Sequence, residues 1–219
     1  MKKLNKIVGV TLILLTSFLF LACGNEKKSS LKEIKTTMSM DIDSLNPYKM
    51  VSSGTEEIMY NVFEGLLMPS PSGELIPAIA ESYKVSEDGT LYTFKIRKGI
   101  KFHNGNPLDV KDVEFSLNRM AGKDGNPPAS ALFQEIAEIN IVSEDEIQIR
   151  LKEADSAFIY ALTKGIVPDE NAQELDKNPI GTGPYMIKQY DREQQIVLEK
   201  FNDYWGDKAS IDRVTVLVV

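Results

Sequence analysis

The sequence predicts a mixed α/β fold, and three observations carry that expectation. Tyr92, Phe94 and Ile96 alternate with Thr93, Lys95 and Arg97, the period of a half-buried strand. Ile58, Val62, Phe63 and Leu66, and later Val113, Leu117 and Met120, recur at helical spacing. The 219 residues are 42% apolar and 26% charged, which is globular composition, far from the polar, highly charged signature of disorder. That length provides a real core in one domain or two small ones.

The amino terminus reads as an address. Lys2, Lys3 and Lys6 precede an apolar run from Ile7 to Ala22 that falls short of the roughly 20 residues a spanning helix needs and matches a signal peptide instead, placing residues 1–22 outside the mature protein. Phe20-Leu21-Ala22-Cys23 resembles a bacterial lipobox, with Phe where Leu is commoner. That resemblance implies cleavage before Cys23 and acylation of its thiol, and stable anchoring needs two or more acyl chains. The other reading is an uncleaved anchor with an inert thiol. Cys23 is the single cysteine, which excludes an internal disulfide framework and a cysteine-rich zinc site. Residues 23–33 then serve as lipidated cysteine and polar tether.

The expected folded part begins near Ile34. A first strand is expected over Ile34–Met40, a turn at Asp43–Pro47, and a capping box with Ser53 at the cap and Glu56 three residues on. The helix that follows is expected to end near Leu66, and Pro69–Pro77 reads as a loop. A strand pair turns at Ser86–Gly89. His103–Pro107 turns the chain again, and Asp109 caps a second helix. Ile136–Val142 and Glu146–Leu151 form a hairpin, and Asp155 caps a short helix through Leu162. Tyr185–Tyr190, Gln195–Lys200 and Arg213–Val219 read as strands. The last is nearly all apolar and is expected to lack neighbours, leaving an edge open to self-association.

Two blocks resemble the bacterial extracellular solute-binding proteins that serve oligopeptide, dipeptide and nickel importers. The first runs from Ala80 to Gly105, with an Asp88-Gly89 turn, Tyr92-Thr93-Phe94, Arg97-Lys98-Gly99 and Phe102-His103-Asn104-Gly105, and continues through Asp109, Asp112-Val113 and Phe115-Ser116. The second is Gly181-Thr182-Gly183-Pro184-Tyr185, followed by Asp203-Tyr204-Trp205-Gly206; Leu45-Asn46-Pro47-Tyr48 adds an early element. The resemblance implies a periplasmic-binding-protein-like, two-lobed type II α/β fold with an extra domain. Residues 34–55 and 166–219 would belong to lobe one and 56–165 to the extra domain, with the second lobe missing from this sequence. It also implies a lipid-anchored protein on the outer face of the membrane, a peptide ligand, ABC permease subunits as partners, and a monomer when full length. Nickel or another small solute is the second reading, and a peptide-sensing or adhesion lipoprotein the third.

The remaining chemistry is sparse. With Lys2, Lys3 and Lys6 set aside, 22 basic residues face 32 acidic ones, a balance that disfavours nucleic acid. His103 is the single histidine and sits in a turn, so neither a metal site nor a catalytic triad is expected. Gly181-Thr182-Gly183 lacks the third glycine of a dinucleotide loop, and no catalytic motif or cofactor site is read. Asp41, Asp43, Glu56 and Glu57 read as a solvated acidic surface. The candidate ligand contacts are Tyr48, the turn Ser52, Ser53, Gly54 and Thr55, and Trp205, because small residues let backbone approach a peptide and aromatic faces tolerate varied side chains. For Trp205 core packing is the competing role, and for Ser53 the cap.

Overall fold

Two four-stranded sheets organise the chain in the computed structural model, which describes residues 31–219. The signal segment, Cys23 and most of the tether lie outside these residues. The first sheet has the order β1-β10-β9-β8, from Glu33–Met38, Arg213–Val218, Gln195–Lys200 and Tyr185–Asp191. β1 runs parallel to β10, pairing Glu33 with Arg213 through Met38 with Val218, and the other pairs are antiparallel. Helix α1 (Ser53–Met59) and Val62, Phe63, Val167 and Leu175 supply the apolar residues that pack with Tyr185, Ile196, Leu198 and Val216 of this sheet.

The second sheet, β4-β5-β7-β6, comprises Ala80–Val85, Leu91–Ile96, Glu146–Leu151 and Ile136–Ser143, all antiparallel. Its alternation is that of the sequence: Tyr92, Phe94, Ile96, Ile147, Ile149 and Leu151 are buried. They join Val113, Leu117 and Met120 of helix α2 (Val110–Met120) and the rings of Phe133 and Phe158 in a second core. Asp109 caps α2 as expected, accepting from the amides of Lys111 and Asp112 while Asp112 accepts from the amide of Asp109. The short helix α3 spans Phe158–Ala161 and not through Leu162, and Asp155 is not its cap: Ala157 holds that position, and the Asp155 carboxylate accepts from the Ala157 amide in the turn ahead of it.

Four further expectations change. Pro69–Pro77 is not a plain loop, because β2 (Leu67–Pro69) and β3 (Leu75–Pro77) form a small hairpin. Its strands are three residues long and end in proline, too short to show a period. Helix α1 stops at Met59, well before Leu66. Residues 62–66 are apolar for another reason: they carry the chain from one core to the other. β10 is not an edge, since β1 and β9 flank it. Its parallel partner comes from the opposite end of the described chain, and parallel pairing needs such a long connection. Finally, Ser53 is not the cap. Ser52 holds that position without a side-chain hydrogen bond, and the Asp43 carboxylate accepts from the amides of Val51 and Ser52.

The two cores meet where the chain crosses out at residues 62–66 and returns at 162–167. The crossings bond to each other, Ile166 N to Glu64 O at 2.8 Å and Leu67 N to Leu162 O at 3.2 Å. A β-carbon on Gly65 would lie 2.3 Å from the Leu162 carbonyl oxygen, so glycine permits this approach.

Candidate functional site

The start of α1 presents the first feature. Thr55 is fully buried, and its hydroxyl accepts from the Asp43 amide at 3.1 Å, so Asp43 and Thr55 fasten the turn to the helix. Asp43 itself is held below the usual carboxylate range: burial raises it, and the stronger sum of hydrogen bonds from Thr55, Val51 and Ser52 lowers it. Asp41 similarly accepts from the Tyr190 hydroxyl and the Glu193 amide, both at 2.8 Å, tying the β8–β9 turn to this segment. The acidic group is therefore largely structural rather than merely solvated. Beside it Val51 stands 88% exposed, and Ser53 is exposed at the helix start. A shallow, open hollow of about 20 Å³, room for little more than one water, lies behind, walled by Met50, Met59, Tyr60 and Phe63, with Glu56 and Lys164 paired at 2.5 Å in its lining.

The second feature is a buried carboxylate. Glu64 is 4% exposed, lying in the run Val62-Phe63-Glu64-Gly65-Leu66-Leu67 between the cores. Its oxygens accept from Tyr204 Oη (2.7 Å), Trp205 Nε1 (2.8 Å) and Thr182 Oγ1 (2.9 Å). The Arg97 guanidinium stacks on the Trp205 ring at 4.4 Å, a cation–π contact that also brings positive charge near the carboxylate. Burial pushes the Glu64 carboxyl above its ordinary range, against the three hydrogen bonds and Arg97, which favour the charged form. Burial and the Glu64 charge likewise raise the Tyr204 phenol. This cluster joins the outward crossing, the Gly181–Gly183 loop and the Tyr204-Trp205 segment.

His103 clamps the same loop from the other side. Its backbone amide donates to Gly181 O at 2.9 Å, its Nε2 meets Gly183 O at 3.0 Å, and its Nδ1 accepts from the Gly181 amide at 3.3 Å. These contacts require the neutral tautomer with the proton on Nε2, and burial lowers the imidazole to about 4. Phe201 packs edge-on at 5.0 Å. The turn role expected for His103 is what the geometry displays.

The sequence-predicted contacts thus fall in different places. Ser52, Ser53, Gly54 and Thr55 stand at the start of α1. Tyr48 packs against both cores, its hydroxyl buried without a hydrogen-bond partner and its phenol raised by burial. Trp205 spends its one donor on Glu64 and borders a separate cleft with Met68, Ile76 and Tyr185. Sequence reasoning missed Glu64 and Lys164. A lone acid inside an apolar run was the available signal for Glu64; Lys164 carried none. Among the described residues Asp112, Asp169 and Glu170 come close enough to share a cation. Asp112, however, already accepts from the amides of Asp109 and Asp169, and Glu170 accepts from the Asn106 side-chain amide at 2.6 Å.

Residues 74–219 match the family described as bacterial extracellular solute-binding proteins, family 5. A glutathione-binding protein of Salmonella paratyphi A is 28% identical over 181 residues, covering 80% of this chain and 35% of that protein. The nickel-binding periplasmic protein of Escherichia coli K12 is 29% identical over 215 residues, covering 93% and 41%. The chain therefore spans well under half the length of these relatives. Among solved structures, the periplasmic binding protein DppA of Helicobacter pylori, in complex with the peptide STSA, superposes with a TM-score of 0.77 at 27% identity, over 88% of this chain and 44% of that one. A dipeptide-binding protein of Pseudoalteromonas in complex with Met-Leu gives 0.78 at 25%, over 86% and 43%. The α/β fold is thus that of the corresponding part of the type II periplasmic binding proteins. With two thirds of its length in register with the family pattern and both cores in place, the chain belongs to the family 5 bacterial extracellular solute-binding proteins.

Proposed function

We propose that this protein captures small solutes, peptides foremost, outside the cytoplasmic membrane and delivers them to an ABC permease, without catalysis of its own. The observation that supports this most is the likeness to two solved structures that hold peptides, over nearly all of the described chain. In this reading the β1-β10-β9-β8 sheet is lobe one, the β4-β5-β7-β6 sheet is the extra domain, and the ligand face is the start of α1, with Ser52, Ser53 and Gly54 at the surface and buried Thr55 fastening them from beneath. Tyr48 then supports that face from within, while Trp205 serves the Glu64 cluster instead. Acylated Cys23 holds the protein to the membrane, and a second lobe encoded beyond these residues would close over the ligand.

The nickel-binding relative favours a second reading, a metal-bearing solute. Both ring nitrogens of His103, the single histidine, are engaged with the Gly181–Gly183 loop, so any metal would have to enter with its own ligands.

The test is made in cells. A fatty-acid analogue should label the protein, Cys23→Ala should abolish the label, and deletion of the gene should slow growth on short peptides as nitrogen source. Unlabelled wild-type protein would remove the anchor from this reading, and unchanged peptide-dependent growth would contradict peptide capture.

A further inference from the structure

We propose that His103 is an acid-operated latch between the two cores, which frees the Gly181–Gly183 loop when its ring takes up a second proton. The residue stands at their boundary. Phe102 beside it is buried in the core of the second sheet, while Gly183 and Pro184 lead directly into Tyr185 of β8 and the core of the first. The turn that carries the ring is itself fixed, Phe102 N donating to Asn106 O at 2.9 Å and Gly105 N to Phe102 O at 2.8 Å. The ring is thus held at a set place against the loop.

The clasp is proton-sensitive because its two ring bonds use opposite roles. Nε2 donates to Gly183 O, whereas Nδ1 accepts from the Gly181 amide. A proton on Nδ1 would set N–H against N–H, because both nitrogens of an imidazolium are donors. Only the backbone bond from His103 N to Gly181 O would then join the two segments here. Among the described residues no carboxylate bonds the ring to offset the new charge. The charged groups of the surrounding elements are engaged elsewhere: Glu64 with Thr182 of the loop, Asp203 with Lys101, Lys200 with Asp212, and Glu170 with Asn106. The bonded form is the neutral one, and its imidazole lies at about 4 against an ordinary 6.5. The latch therefore contributes fully above pH 6.5 and is lost as pH falls through about 4. The freed loop would carry Thr182 with it, taking one donor from Glu64.

The experiment is nuclear magnetic resonance on the natural gene product labelled uniformly with ¹⁵N. His103 is the single histidine, so its ring signals stand alone. They should show the proton on Nε2 at pH 7 and titrate below pH 5. Between pH 7 and pH 4.5, exchange protection of the Gly181 amide, corrected for the intrinsic effect of pH, should fall at least tenfold. The ceiling is about 300-fold, the ratio between an imidazole at 6.5 and one at about 4. Ile147 and Ile149, in the middle of the second sheet, should keep their protection. In His103→Gln the side chain can still donate to Gly183 O but leaves the Gly181 amide without an acceptor, so protection there should be low at both pH values. A ring that titrates near 6.5, or Gly181 protection that is equal at the two pH values, would overturn the proposal. So would an acid loss that persists undiminished in His103→Gln, since Glu64 would then be its source. Should the variant fail to fold, the wild-type ring titration and Gly181 protection decide alone.

Discussion

Glu64→Leu is expected to destabilise residues 31–219 by about 3–5 kcal/mol, the range for removing one partner from a buried charged network. The substitution keeps the apolar character of the run but leaves the Thr182 hydroxyl, the Tyr204 hydroxyl and the Trp205 indole N–H without their acceptor. Each unsatisfied donor costs about 1–3 kcal/mol when buried, with Tyr204 and Trp205 at the lower end because they are only half-buried. Arg97 would also lose the negative charge that its stacking on Trp205 brings it near. Glu64→Gln should fall between, since one amide oxygen still accepts while the amide nitrogen faces donors. Urea unfolding followed by tryptophan fluorescence reads both, because Trp205 is the sole indole and lies at the site. A leucine variant within about 0.5 kcal/mol of wild type, the range of neutral surface changes, would show that the cluster stabilises nothing.

Gly181→Ala is expected to be comparably damaging for a steric reason. Its β-carbon would lie 2.1 Å from the Val62 carbonyl oxygen and 2.8 Å from Phe63 Cδ1. The loop has nowhere to retreat, because His103 holds it through the carbonyl and amide of Gly181 and the carbonyl of Gly183. Forced overpacking costs about 1–3 kcal/mol, more where backbone faces backbone as here. Gly73 provides the comparison. It has φ +84° with nothing within 4 Å of a β-carbon, so Gly73→Ala meets only the left-handed penalty of roughly 1–2 kcal/mol. Thermal unfolding of the two variants should place Gly181→Ala clearly below Gly73→Ala; the reverse order would mean that the loop can shift.

Period-2 strands were legible because each has one buried face: the alternation of Tyr92 to Arg97 in sequence is the burial pattern in space. Asp109 was legible because a cap acts within its own turn. What escaped depends on residues distant in sequence. Val62, Phe63 and Leu66 keep helical spacing, yet they are apolar because the chain dives between two cores, which no local period encodes. Asp43 ties down the turn ahead of the helix through the amides of Val51 and Ser52, and the side-chain cap expected of Ser53 is not made. Gly181 and Gly183 stand out in the sequence, but the reason for glycine is the approach of Val62 and Asn61, far away in the chain. At the candidate site the small-residue turn at Ser52–Thr55 was readable, whereas the Glu56–Lys164 pair joins positions 108 residues apart and exists only once both crossings are formed.

Solute capture at the α1 face is tested most directly by amide hydrogen exchange on the natural gene product, with and without a mixture of short peptides and amino acids. Slowed exchange is expected over residues 50–60 and 163–165, the turn, helix and crossing that surround the hollow, with the Glu64 cluster equally protected in both states. Exchange that is unchanged over both segments, or protection confined to residues 204–209 beside the Trp205 cleft, would contradict it.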